Sequence, residues 1–126
     1  MGLLTKVLIN IALILITVVI GYILHGKGRP YNSALFTVHK LASVAFIIFT
    51  AIILVSFLRN NDAHVLFVAM FVVAAASIII LLVSGGMMSL DKLHLQMMWV
   101  HRIFSGAFVI SIAIIFYKLI NSLQHC

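Results

Sequence analysis

The stretch from Val65 to Val83 reads VLFVAMFVVAAASIIILLV and contains no charged residue. Its length is close to the roughly 20 apolar residues that cross the hydrocarbon core of a bilayer as an α-helix. The apolar residues are continuous rather than alternating with polar ones, which indicates a helix and not a barrel strand. We therefore predict a transmembrane helix here, and we expect Ser84-Gly85-Gly86 to end it.

Three similar runs occur elsewhere, each with a basic residue near both ends: Val7 to Leu24, Leu41 to Leu58 and Ile103 to Tyr117. The last is short for a span, and it becomes long enough if Leu95 to Val100 belongs to the same helix. We predict an all-α protein, a four-helix transmembrane bundle forming a single transmembrane domain over residues 1–126. The expected spans are approximately 4–24, 34–58, 64–84 and 95–120.

Composition supports a membrane location. Of the 126 residues, 65% are hydrophobic and 8% are charged, which is too little charge to cover the surface of a water-soluble domain. The net charge is +6, and the basic residues stand singly at the ends of apolar runs, where they anchor helix ends in the headgroup layer. We expect the lipid bilayer as a partner and no nucleic acid, because no basic stripe is present.

Acidic residues are confined to two predicted loops, at Asp62 and Asp91. No span therefore holds a carboxylate for proton exchange, and both Ser-His-Asp and paired-carboxylate catalysis lack their acids. Whether the chain is an enzyme of another kind stays open.

Cys126 is the only cysteine, so no intramolecular disulfide is possible.

The second and fourth spans resemble each other in sequence. The segment HKLASVAF at residues 39–46 aligns with HRIFSGAF at residues 101–108, and AII at 51–53 aligns with AII at 113–115 without a gap. The odd-numbered spans do not align convincingly. This pattern predicts two pseudo-repeated helical hairpins, related by a pseudo-two-fold axis along the membrane normal.

Histidines occupy the first position of both repeated segments, at His39 and His101. Each follows a connection from an odd-numbered helix, so both should lie on the same side of the membrane, about one turn inside the helix start. Two imidazoles facing each other across a bundle axis have the geometry of bis-histidine haem ligation. We therefore expect one haem b with these histidines as its metal ligands. The competing interpretation is that each histidine is an interfacial anchor.

Two further residue types beside each histidine would complete the cofactor site. Ser43 and Ser105 come four residues later on the same helical face, where a small side chain lets the flat macrocycle approach the backbone. Lys40 and Arg102 would pair with the haem propionates. That pairing would offset the cost of placing two basic groups at membrane depth.

Four spans with histidines on two of the helices resemble the membrane b-type cytochromes, in particular the four-helix cytochrome b561-like group. The resemblance covers the whole chain in architecture and rests on few residues. It implies electron transfer within the membrane, with His39 and His101 as axial ligands and a quinone or redox partner protein as the electron partner. Members of the group often hold two haems. Here the opposite side offers only His64 and His125, so a second haem is not expected.

Two alternatives fit the same sequence. The first is a copper-binding or transport-related membrane protein, because methionine and histidine are suitable ligands for Cu(I) and four methionines surround His94: Met87, Met88, Met97 and Met98. The second is a non-catalytic anchor or assembly subunit with interfacial histidines. A homo-oligomer is compatible with every one of these functions.

Membrane orientation is predicted from the loop charges. The proposed haem side carries Lys27, Arg29, Lys40, Lys92 and Arg102, and the opposite side carries Lys6, Arg59 and Lys118. The positive-inside rule places the haem side in the cytoplasm, whereas the two sides become equal if propionates neutralise Lys40 and Arg102. We expect an integral protein of the plasma (inner) membrane of a prokaryote.

Overall fold

Four long helices make up the computed structural model, which describes residues 2–28, 30–60, 64–90 and 93–125. They are α1 (Leu3–Lys27), α2 (Ser33–Asn60), α3 (Val65–Ser89) and α4 (His94–Gln124). All four are long and apolar enough to cross a membrane, and the described ranges contain no strand. The prediction of an all-α protein with four transmembrane helices is confirmed. Five residues named above lie outside the described ranges: Arg29, Asp62, Asp91, Lys92 and Cys126.

The helix ends differ from the prediction mainly at the connection between α3 and α4. Helix α3 continues through Gly85 and Gly86 to Ser89, so the prediction that the glycine pair ends it is wrong. A glycine inside a helix costs about 1 kcal/mol relative to alanine, which packing against a neighbouring helix readily outweighs. Helix α4 begins at His94, which confirms the extension of the fourth span through Leu95 to Val100.

The helices pair in chain order into two compact units, residues 1–62 and 63–126. In the first unit α1 packs along α2, and in the second α3 packs along α4. These are the two helical hairpins that the repeat predicts.

A buried polar pair joins the two helices of the first hairpin. Asn10 on α1 is 0% exposed, and its Nδ2 donates to Thr50 Oγ1 on α2 at 2.7 Å. The Oδ1 atom of Asn10 is also buried and has no hydrogen-bond partner among the described residues. A hydrogen bond of this kind between membrane helices contributes about 0.6 kcal/mol on average and at most about 1.7 kcal/mol, because the same groups also find partners when the helices are separated in the membrane. The pair fixes the register of α1 against α2.

The second hairpin combines a small-residue face with a large-residue face. Three of the four buried residues of α3 are small and lie on one side of the helix, Ala74, Ser77 and Ser84, and the fourth, Phe67, lies on the same side near the start of the helix. Five buried residues of α4 are large, and their spacing places them on one side of that helix: Phe108, Ile112, Ile115, Phe116 and Leu119. Small residues on one membrane helix let the backbone of its neighbour approach closely.

The Thr50→Val substitution should destabilise the protein, because it removes the oxygen that accepts from Asn10 and leaves a buried amide unpaired. We expect a loss of about 1–3 kcal/mol in the free energy of unfolding, measured by titration with a denaturing detergent. The Asn10→Leu/Thr50→Val double variant should recover most of this loss, since both polar groups are then removed together.

The matched control for this prediction is Thr17→Val. The Thr17 hydroxyl donates to the carbonyl oxygen of Leu13 within its own helix at 2.9 Å, so its removal should change the unfolding free energy by less than about 0.5 kcal/mol. A double variant as unstable as Thr50→Val alone would contradict the assigned role of the pair.

Candidate functional site

The two histidines of the repeat lie at matching positions in their helices. His39 follows the first residue of α2 by six residues, and His101 follows the first residue of α4 by seven. These offsets correspond to about 9 and 10.5 Å of helix rise, so the expected depth of one turn is too shallow. The first turn of α2 is capped by the Asn32 side chain, which accepts from the Leu35 N–H at 3.1 Å.

The imidazole of His39 is fixed by α1. Its Nδ1 atom lies 3.0 Å from the backbone carbonyl oxygen of Thr17. Because a carbonyl oxygen only accepts, Nδ1 carries a proton and donates it, and the neutral ring then has its lone pair on Nε2. The ring also lies against Gly21, where an added Cβ would come within 3.1 Å of Cε1. Gly21 therefore leaves the space that the imidazole fills.

The imidazole of His101 is held in a comparable way by α3. Its Nδ1 atom lies 3.0 Å from Oγ of the buried Ser84. The Ser84 hydroxyl donates to the carbonyl oxygen of Leu81 at 3.3 Å, so it accepts the proton of the histidine Nδ1. The ring lies beside Gly85, where an added Cβ would stand 3.5 Å from Cε1. The neutral ring again has its lone pair on Nε2.

Each hairpin thus pairs a histidine with a hydrogen-bond acceptor and a glycine of the preceding helix. The acceptor is the Thr17 carbonyl in the first hairpin and the Ser84 hydroxyl in the second. Sequence reasoning missed these partners because the segment between glycine and histidine is two residues longer in the first hairpin than in the second. An isolated glycine within an apolar helix, as at Gly21, is the available signal for a close approach.

The two serines predicted for the site hydrogen-bond to their own helices. Ser43 Oγ donates to the carbonyl oxygen of His39 at 2.7 Å, and Ser105 Oγ donates to that of Arg102 at 2.8 Å. Both residues are half-buried. Each hydroxyl proton is therefore donated within its own helix. The side chain contributes only its small size to the surroundings of the histidine on that helix.

The two basic residues beside the histidines lie over aromatic rings of their own helices. Lys40 Nζ is 4.3 Å from the ring centroid of Phe36, and Arg102 Cζ is 5.6 Å from that of Trp99. Both aromatic residues precede the cation by about one turn. The cations are therefore directed towards the N-terminal ends of α2 and α4, where cation–π contacts stabilise them.

The other histidines lie at helix ends. His25 is in the last turn of α1, His64 directly precedes α3, His94 begins α4 and His125 directly follows α4. Within the described ranges, no group of three or more His, Cys, Asp or Glu side chains could hold a metal ion. The methionines of the copper alternative lie in the last turns of α3 and the first turns of α4 and are half-buried: Met87, Met88, Met97 and Met98.

No protein-family model, curated protein or solved structure matches this chain. The possible chemistry of the site is therefore inferred from its own side chains. A neutral histidine that donates from Nδ1 has its lone pair on Nε2, and each hairpin holds one ring in this tautomer.

Gly21→Ala should displace the His39 ring, whereas Gly85→Ala should leave the His101 ring in place. A Cβ at 3.1 Å forces the ring to shift by a few tenths of an ångström, and one at 3.5 Å makes an ordinary van der Waals contact. We expect Gly21→Ala to be less stable than Gly85→Ala by about 1–3 kcal/mol in the same detergent titration. The ¹⁵N resonance of His39 Nδ1 should move only in the Gly21 variant. Equal stability and unchanged resonances would contradict the close packing of this ring.

Proposed function

We propose that this chain is a membrane electron-transfer protein that binds one haem b through His39 and His101. The observation that supports the proposal most strongly is the Nδ1 hydrogen bond that each hairpin makes to its histidine. A metal-ligating histidine almost always donates its second ring N–H to a protein acceptor, which fixes the tautomer and the ring orientation. Two histidines prepared in this way on separate hairpins suit an iron with two axial imidazoles.

The residues present fit such a group. Haem b, when bound, would supply one-electron chemistry, and His39 and His101 would hold it. The protein's part would be to hold two neutral imidazoles in place. Gly21 and Thr17 position the ring of His39, and Gly85 and Ser84 position that of His101.

The residues around the histidines match the remaining needs of the cofactor. Haem carries two propionate groups, and Lys40 and Arg102 supply one positive charge each at the N-terminal ends of α2 and α4. Ser43 and Ser105 supply small side chains with locally satisfied hydroxyls. Neutralising two carboxylates with two cations reduces the cost of placing charge close to hydrocarbon.

Electrons would be exchanged with a lipid-soluble quinone or with a redox partner protein. The described part of the chain consists of membrane helices and short connections, so a partner must reach the site from within the bilayer or at its surface. An absorption spectrum of the purified protein tests the cofactor directly. A Soret band is expected. Bound copper without a Soret band would favour the metal-binding alternative, and neither signal would favour the anchor or assembly subunit.

Replacing either proposed ligand should abolish low-spin haem. His39→Ala and His101→Ala should each leave a five-coordinate, high-spin and more easily lost haem, because one axial bond is gone. Absorption and electron paramagnetic resonance spectra distinguish the two spin states. His25→Ala and His94→Ala are the controls and should keep the low-spin spectrum. Low-spin haem persisting in both ligand variants would show that the pair is wrong.

Ser84→Ala should weaken haem binding although it leaves both ligands intact. The substitution removes the acceptor of His101 Nδ1, and loss of such a partner typically lowers metal affinity by about 10- to 100-fold. Haem titration and the reduction potential measure the effect. Ser77→Ala is the matched control, since Ser77 is a buried serine of the same helix that does not bond to a histidine in the described contacts. Equal effects of the two substitutions would assign Ser84 a packing role only.

A further inference from the structure

An open groove lies along the first hairpin, at the end far from His39. Its volume is about 600 Å³, and it is lined by Lys6, Ala51, Ile52, Val55, Ser56 and Arg59. Lys6 belongs to the first turns of α1 and Arg59 to the last turn of α2. In contrast, His39 contacts the second half of α1, at Thr17 and Gly21. The groove therefore opens at the membrane face opposite the candidate haem site.

Polarity changes in a regular order along the groove. The two cations, Lys6 and Arg59, mark its outer end, and Ser56 stands about one turn deeper on α2. Ala51, Ile52 and Val55 follow towards the middle of the bilayer. Ala51 and Arg59 are separated by about 12 Å of helix rise. A phospholipid has the same order over a similar depth: a charged headgroup, polar ester linkages and then hydrocarbon.

Charge specifies which lipids fit. Both ionisable side chains of the groove are cations, and no carboxylate of the described residues lines it. Arg and Lys bind phosphate oxygens through charge-assisted hydrogen bonds, and arginine can do so with two parallel N–H groups. Each cation near the membrane surface strengthens the binding of an anionic lipid about fivefold. A zwitterionic lipid gains less, because its own positive group opposes the two cations.

The buried pair of the first hairpin holds the two walls of the groove in register. Lys6 lies one helical turn before Asn10 on α1, and Ala51 directly follows Thr50 on α2. The hydrogen bond from Asn10 to Thr50 thus fixes the cation of one wall relative to the apolar surface of the other. This built-in geometry distinguishes the groove from two cations that merely extend into the headgroup layer.

We propose that the groove binds one anionic phospholipid, with its phosphate between Lys6 and Arg59 and one acyl chain against Ala51, Ile52 and Val55. The bilayer that surrounds the four spans supplies this ligand. The inference does not depend on the proposed haem, since none of the groove residues belongs to the histidine sites.

Native mass spectrometry of the full chain tests the proposal. The protein is released from mixed micelles that contain equal amounts of phosphatidylglycerol and phosphatidylcholine, and the lipid that stays bound is identified. One phosphatidylglycerol should remain bound per chain. The Lys6→Gln/Arg59→Gln double variant should weaken this binding about 25-fold, as two independent fivefold effects combine. Lys118→Gln removes a cation near the end of α4 that does not line the groove, and it should bind the lipid like the unmodified chain.

Ala51→Phe tests the acyl-chain half of the site with both cations intact. Residue 51 is exposed on α2, so the larger ring fills the groove without disturbing the buried residues. We expect phosphatidylglycerol binding to fall at least tenfold, while glycerol phosphate, which has no acyl chain, should not displace the lipid from the unmodified protein. The inference is overturned by equal retention of both lipids, by an equal loss in Lys118→Gln, or by displacement with glycerol phosphate. The Soret band of the same samples reports separately on the haem proposal.

Discussion

Hydrocarbon contains no water, so a polar group placed in it costs free energy unless it finds a partner within the protein. That constraint explains the four helices, because a helix satisfies its own backbone. It also explains the few polar side chains inside them. Ser43, Ser105 and Ser111 donate to carbonyl oxygens of their own helices. His39 and His101 reach across to the preceding helix, and Asn10 reaches across to Thr50.

The helices were predictable because their signal is the hydrophobicity of whole segments, which a few residues cannot alter. The end of α3 was not predictable by the same reasoning. Gly85 and Gly86 resemble a helix terminus in sequence, yet Gly85 lies inside the helix and beside the His101 ring. Local preference at a glycine is worth about 1 kcal/mol, and the sequence does not display the interhelical contact that outweighs it.

Of the candidate site, only the two histidines of the repeated segments were predictable from the sequence. His39 and His101 stand out because the second and fourth spans align without a gap. Their partners do not stand out, since one is a backbone carbonyl, which every residue type carries, and the other is a serine hydroxyl. Both hairpins provide an acceptor for the Nδ1 proton of the imidazole, but one acceptor is a backbone carbonyl and the other is a side-chain hydroxyl. A sequence comparison of the odd-numbered helices therefore contains little to align.

The carbonyl oxygen of Thr17 has a second role beyond orienting a ring. In the regular geometry of α1 this oxygen also accepts from the N–H of Gly21, the residue against which His39 packs. This one oxygen thus accepts two hydrogen bonds, one from a backbone N–H of α1 and one from the imidazole. A change in the charge of the ring would change how strongly this oxygen accepts from Gly21. The backbone amide of Gly21 would therefore respond to the protonation of His39, because the two donors share one acceptor.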